Sequence, residues 1–198
     1  MRIDRQRRRV GWTIGAAAAL CALTIALTGC SGASNSVDQS AGGSFGFVQQ
    51  SANSDFVPAA HRKVAPDLTG PTLTGGSMSL ASLRGRIVVV NFWASWCGPC
   101  RGETPGLVSV AKTHPRVAFL GVNEKDNLSN GKAFAADNHV PYPSIVDRIG
   151  QLAAAWPVSP GLPSTFVLDA QGRIAARFTG GTQPSDLTPI FTKLQAET

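Results

Sequence analysis

A seven-residue run, Ile87-Val88-Val89-Val90-Asn91-Phe92-Trp93, leads almost directly into Trp96-Cys97-Gly98-Pro99-Cys100. The run is apolar, rich in β-branched residues and the right length for a buried strand. From about Arg101 to Lys112 the residues suit a helix. The cysteine pair therefore sits on a strand-to-helix turn.

That turn favours thiol chemistry. The first backbone N–H groups of a helix lack intrahelical partners, and the helix dipole is positive there. Both favour a thiolate at Cys97. Gly98 lets the backbone turn tightly, and Pro99 loses nothing by lacking an N–H in the first helical turn. Cys100, one turn further in, is expected to be the more buried partner that closes a disulfide. A bare Cys-x-x-Cys also matches half of a zinc site. The sequence has no second such pair and no nearby His to complete four ligands. A purely structural bond is weaker still as a reading, because a two-residue loop gains little from closure entropy. Redox chemistry is favoured over both.

The stretch Val89-Val90-Asn91-Phe92-Trp93-Ala94-Ser95-Trp96-Cys97-Gly98-Pro99-Cys100 resembles the active-site strand and turn of the thioredoxin superfamily. More narrowly, it resembles the membrane-anchored, extracytoplasmic TlpA/ResA-like thiol–disulfide oxidoreductases. The resemblance covers roughly residues 65–195. It implies an α/β, thioredoxin-like fold: a central mixed β-sheet flanked by helices, with an N-terminal hairpin and a central αβ insertion.

The chain has 198 residues and 43% apolar content, enough for one domain of ordinary size. Its formal net charge of +6 invites a nucleic-acid or membrane reading. Residues 1–29 carry five Arg and one Asp, however, which leaves +2 for residues 30–198. The basic balance is concentrated at the start of the chain and is not a binding face; no nucleic-acid partner is expected.

Residues 1–29 read as a signal peptide, with a positive Arg2–Arg9 region and an apolar Val10–Leu27 region. Leu27-Thr28-Gly29-Cys30 resembles a bacterial lipobox, which implies that Cys30 becomes a lipid-modified N-terminus. The alternative is an uncleaved transmembrane anchor, since about 18 residues can just span a bilayer. Either reading places the domain outside the cytoplasm, and the first makes it lipid-anchored to the cell membrane. Cys21 would leave with the signal, so Cys97 and Cys100 remain the free pair in an oxidising compartment. Residues 30–58, rich in Ser, Gly, Ala, Gln and Asn, read as a flexible tether. Phe45, Phe47 and Phe56 are exceptions that can dock on the domain. Residues 59–198 are assigned to the thioredoxin-like domain.

Within the domain, Gly75-Gly76 marks a hairpin turn. Val117–Asn123 reads as a second buried strand, which makes a βαβ unit with a right-handed crossover. A helix over Asn127–Asn138, a strand over Tyr142–Val146 and a short helix over Gly150–Trp156 follow. Asp169-Ala170-Gln171-Gly172 turns the strand after Pro163 into a hairpin. A last helix carries Leu187, Ile190, Phe191 and Leu194 on one face. The resemblance implies that Pro163 is cis beside the disulfide and turns the Leu162 backbone toward the cysteines. A substrate chain would add there by strand-like hydrogen bonds. The alternative is an ordinary trans proline at a strand edge.

The resemblance also points to Glu103, three residues after Cys100, as a carboxylate that accepts or returns the Cys100 proton. The competing reading is a solvated helix charge. Asn91 departs from plain thioredoxin, which has a buried acid at that strand position. Trp96 is expected at the exposed rim, in contact with substrate, and Trp93 in the core. His61, His114 and His139 are read as surface residues. No P-loop or dinucleotide glycine pattern is present, and no organic cofactor or metal is required, because the cysteine pair carries both electrons.

The expected activity is thiol–disulfide exchange with exported proteins bearing cysteines or disulfides. The resemblance favours a reductant, with apocytochrome c in cytochrome c maturation as one substrate, recharged by a membrane redox donor. An extracytoplasmic, disulfide-forming oxidant that passes its electrons to a membrane acceptor is the alternative. A thiol peroxidase on this fold would have a Pro and a Thr where Val90 and Ala94 stand. A reading from another class is a non-catalytic tethered module that binds a partner beside Pro163. A monomer is expected.

Overall fold

The computed structural model describes residues 48–51, 54–158 and 161–197, with side-chain surroundings from residue 54 onward. The readings of residues 1–47, including the signal peptide and Cys30, lie outside the described residues.

A seven-stranded sheet runs in the order β1-β2-β9-β8-β5-β6-β7. Its centre is β5 (Val88–Trp93), all six residues of which are buried. It pairs in parallel with β6 (Ala118–Glu124) and antiparallel with β8 (Ser164–Leu168). On one side the sheet continues through β6 to a parallel β7 (Ser144–Asp147). On the other, β8 pairs with β9 (Ile174–Thr179), which pairs with β2 (Ser54–Phe56), which pairs with β1 (Val48–Ser51). A separate antiparallel hairpin, β3 (Thr69–Pro71) and β4 (Ser77–Ser79), turns through Gly75 and Gly76, both at positive φ.

Alternation along β5 divides the core. Val89 joins Leu107 and Val110 of α1 (Gly98–Thr113) and Leu187, Ile190, Phe191 and Leu194 of α4 (Pro184–Gln195) on one face. Val88, Val90 and Phe92 face the other way, onto Leu68, Leu80 and Trp156. Between β6 and β8 lie α2 (Leu128–Asp137), β7 and the short α3 (Gln151–Ala154), the place expected for the αβ insertion. The fold is the thioredoxin-like one that the resemblance implied.

Two boundaries differ from the sequence reading. The helix after the cysteines begins at Gly98, because Cys97 already acts as its N-cap. The sheet also begins upstream of Ala59, in residues assigned to the tether. There β2 pairs with β9, and Asp55 is hydrogen-bonded to the buried Arg177. Phe56 is buried in the core, as the sequence allowed.

Candidate active site

The sulfurs of Cys97 and Cys100 are joined at the N-terminus of α1, with Cα atoms 5.3 Å apart. The Cys97 sulfur accepts a hydrogen bond from the Cys100 backbone N–H at 3.2 Å. It therefore occupies the cap position that the orphan N–H groups of a helix attract. Cys97 is 5% exposed and Cys100 only 1%, the order expected for an attacking and a resolving thiol.

The turn before the helix is held from the next strand. Asp126, just past β6, accepts from the Ser95 backbone N–H (2.6 Å), the Ser95 hydroxyl (2.8 Å), the Asn123 amide (2.8 Å) and the Asn127 N–H (2.8 Å). Trp96 is 63% exposed, and its indole N–H donates to the Lys125 carbonyl at 3.1 Å. Trp93 is buried, packed in a tilted arrangement against Phe134 with ring centroids 5.3 Å apart, and donates to the Ser144 hydroxyl. A groove of about 400 Å³ runs between the start of α1 and α2, lined in part by Trp96, Arg101, Phe134 and Asp137.

The Leu162–Pro163 peptide is cis. Leu162 packs against the apolar cluster that contains Cys97, Cys100, Trp93, Ala94 and Phe134. Residues separated by more than sixty positions in the sequence thus meet at the disulfide.

Glu103 is not a solvated charge. It is 2% exposed. One carboxylate oxygen accepts from the Asn91 amide and the other from the Thr182 backbone N–H, each at 2.8 Å. Asn91 also donates to the Thr165 hydroxyl at 2.9 Å. Burial pushes the carboxyl up to about 7, against the opposing pull of the Thr182 and Asn91 hydrogen bonds, which favour the anion. The carboxylate on the helix is thus anchored by an amide on the strand. His61 and His139 are exposed; His114 is half-buried against Phe191.

Sequence reasoning missed Asp126, Thr165 and Thr182. Asp126-Asn127 before a helical run carries a capping signal, and Asn127 does cap α2. The contacts to Ser95, Asn91 and Glu103 had no local signal, since each depends on which strands are neighbours.

A sheet of this order, with a Cys-x-x-Cys disulfide at a helix N-terminus and Leu162 of a cis Leu–Pro peptide in the same apolar cluster, defines a thiol–disulfide oxidoreductase of the thioredoxin superfamily. The chain belongs to the AhpC/TSA family, whose model matches residues 62–177. It is 38% identical to the thiol:disulfide interchange protein HelX of Rhodobacter capsulatus, over 60% of this chain and 66% of HelX. It is 33% identical to the thiol-disulfide oxidoreductase ResA of Geobacillus thermodenitrificans, over 62% of this chain and 71% of ResA. The chain thus spans about two thirds of the length of these relatives. Among solved structures it resembles a secreted thiol-disulfide isomerase from Corynebacterium glutamicum. That match has 30% identity and a TM-score of 0.68, and it covers 74% of this chain and 94% of the other.

Proposed function

We propose that this chain is an extracytoplasmic, membrane-anchored thiol–disulfide oxidoreductase that reduces disulfides in exported proteins, apocytochrome c among them. The observation that carries the reading is the Cys97–Cys100 disulfide capping α1, packed in one apolar cluster with Leu162 of the cis peptide. The apolar run before Cys30 supports the lipid anchor and the location.

In the working direction the reduced pair acts first. The Cys97 thiolate attacks one sulfur of a partner disulfide, forms a mixed disulfide and expels the other partner sulfur as a thiolate. Cys100 then gives up its proton and attacks the Cys97 sulfur. The Cys97–partner bond breaks, the partner's second sulfur also leaves as a thiolate, both partner thiolates take protons from solvent, and the pair returns to the closed state. Two electrons have passed to the partner, and a membrane donor must return two. Glu103, three residues on in the same helix and poised near neutrality, takes the Cys100 proton and later returns it. Trp96 and the backbone at Leu162-Pro163 receive the partner chain.

A thiol peroxidase is disfavoured, because Val90 and Ala94 are fully buried and offer no hydrogen bond to a peroxide. The oxidant reading keeps one observation in its favour: the helix N-terminus stabilises a Cys97 thiolate and so the reduced form. The reduction potential separates the readings. A value near that of thioredoxin, about −270 mV, supports the reductant. A value higher by more than about 100 mV makes the chain an oxidant. Failure to exchange two electrons at any poise of a thiol buffer would leave the tethered binding module.

A further inference from the structure

Because β5, β6 and β7 are parallel neighbours, the loops that follow them emerge side by side at one edge of the sheet. The first of these loops carries Cys97. The three are tied to one another. Ser95 donates twice to Asp126, and the Trp96 indole N–H donates to the Lys125 carbonyl. The Lys125 N–H donates to the Asp147 carbonyl at 2.9 Å. Gly150 sits so closely on the Lys125 side chain that a Cβ there would fall 2.3 Å from its Cε.

This cross-tied edge exposes apolar side chains. Trp96 follows β5, Leu128 follows β6 and is 36% exposed, and Ile149 follows β7 and is 76% exposed. Among the described residues the other exposed large hydrophobic side chain is Val64. It bridges Arg173, at the far end of the sheet. Single exposed apolar residues need no explanation, whereas a group on adjoining loops around a reactive disulfide marks a contact surface. The charges on these loops are mostly spent internally. Asp126 is saturated by its four donors, and Lys125 pairs with Glu124 at 3.2 Å. Arg148 stands exposed beside Ile149.

We propose that Trp96, Leu128 and Ile149 form a docking surface for apolar side chains next to the reacting cysteine of a partner polypeptide. Leu128 and Ile149 set the specificity. The inference rests on the redox reading above, and that reading names the class of occupant: an exported polypeptide that presents a sulfur to Cys97. The surface asks that polypeptide for Leu-, Ile- or Phe-like neighbours, and Arg148 favours acidic over basic residues beyond them. The loops are already ordered, so docking loses little conformational entropy.

The test uses the reduced protein and two disulfide-linked peptides, one with its cysteine flanked by Leu and Phe, the other by Ser and Gly. The readout is the ratio of their second-order exchange rates. The ratio should favour the apolar peptide by about tenfold, and Leu128→Ser/Ile149→Ser should lower it roughly fivefold. Ile149→Leu should keep it. A ratio near one in the parent protein, or one that the double substitution leaves in place, overturns the proposal. Exchange with 2-hydroxyethyl disulfide is followed in parallel, and if it too is absent the redox reading has failed. Docking is then decided by anisotropy of a labelled Leu/Phe peptide, with Ser for its cysteine, on the Cys97→Ser/Cys100→Ser protein. Binding that weakens on adding the Leu128 and Ile149 substitutions supports the surface, and binding that does not weaken removes it.

Discussion

At Glu103, burial and hydrogen bonding oppose each other. Desolvation favours the neutral acid, while the Thr182 N–H and the Asn91 amide favour the anion. Burial wins, and the group titrates at about 7 instead of its ordinary 4.5. Between those values the native protein holds a proton that the unfolded chain has released, so stability falls as pH rises through this window. The penalty is absent below 4.5 and complete above 7, on the order of 3 kcal/mol. Glu103→Gln should abolish this slope in urea titrations at pH 4.5, 6 and 8. Asn91→Ala should act the other way on the same group. It removes a donor to the anion, so the Glu103 titration should move upward, read as a higher inflection in the pH profile of thiol exchange. The sequence placed Glu103 one turn from Cys100 but could not show that it is buried. Its anchors come from β5 and from the start of α4, and Thr165 on β8 completes the network. Only the strand order brings them together.

At the scale of elements, β6 shows how a strand carries the site without touching sulfur. Gly121 faces the hydrogen bond between Trp93 and Ser144, which links β5 to β7. A Cβ there would lie 2.2 Å from the Ser144 hydroxyl oxygen and 2.9 Å from the Trp93 indole nitrogen. Gly121→Ala should therefore cost about 1–3 kcal/mol by overpacking. A lower urea midpoint and altered tryptophan fluorescence would report it. Elements with strong periodicity were legible: β5 and β6 from their apolar runs, α4 from its four-residue face, and the β8–β9 hairpin from Asp169–Gly172. The strands β1 and β2 were not. Their short Gln- and Ser-bearing sequences have no alternation, and β2 is ordered by pairing with β9 and by the Asp55–Arg177 contact across the sheet. The residues suited to a helix run from about Arg101, whereas α1 itself starts at Gly98, with Pro99 in its first turn as expected. Cys97 caps the helix through sulfur, a role that residue type alone does not announce.

Over the whole molecule, the disulfide and the closure of the domain lie at opposite ends of β5. Val88 pairs with Leu168, and just beyond Leu168 stands Asp169, while Cys97 follows the other end of the strand. The intervening six residues of β5 span about 20 Å. At the far end the buried Arg62 donates to the Val57 carbonyl (3.0 Å), to Asp169 (3.4 Å) and to Glu197 past α4 (2.9 Å). One guanidinium thus joins the two ends of the domain to its last hairpin. Asp169 retains Arg173 at 2.8 Å when Arg62 is gone, so no carboxylate is left buried without a cation. The loss is then that of the charged hydrogen bonds and their packing, about 3 kcal/mol. For a domain of this size that lowers Tm by about 10 °C. Hydrogen bonding to Arg62 holds the Glu197 carboxyl below its ordinary 4.5. A lowered acid stabilises the native state above its ordinary value and ceases to do so as pH falls through the lowered one. The cost of Arg62→Ala should accordingly shrink on acidification below 4.5. Sites this far apart with no shared partner add almost independently. The same substitution should therefore leave the Cys97–Cys100 reduction potential within about 10 mV of the parent value, which corresponds to less than about 0.5 kcal/mol. Thermal melts at pH 7 and pH 3, run beside a redox titration of the same variant, check both halves. A potential that moved with Tm would mean that the two ends of β5 are coupled through the sheet.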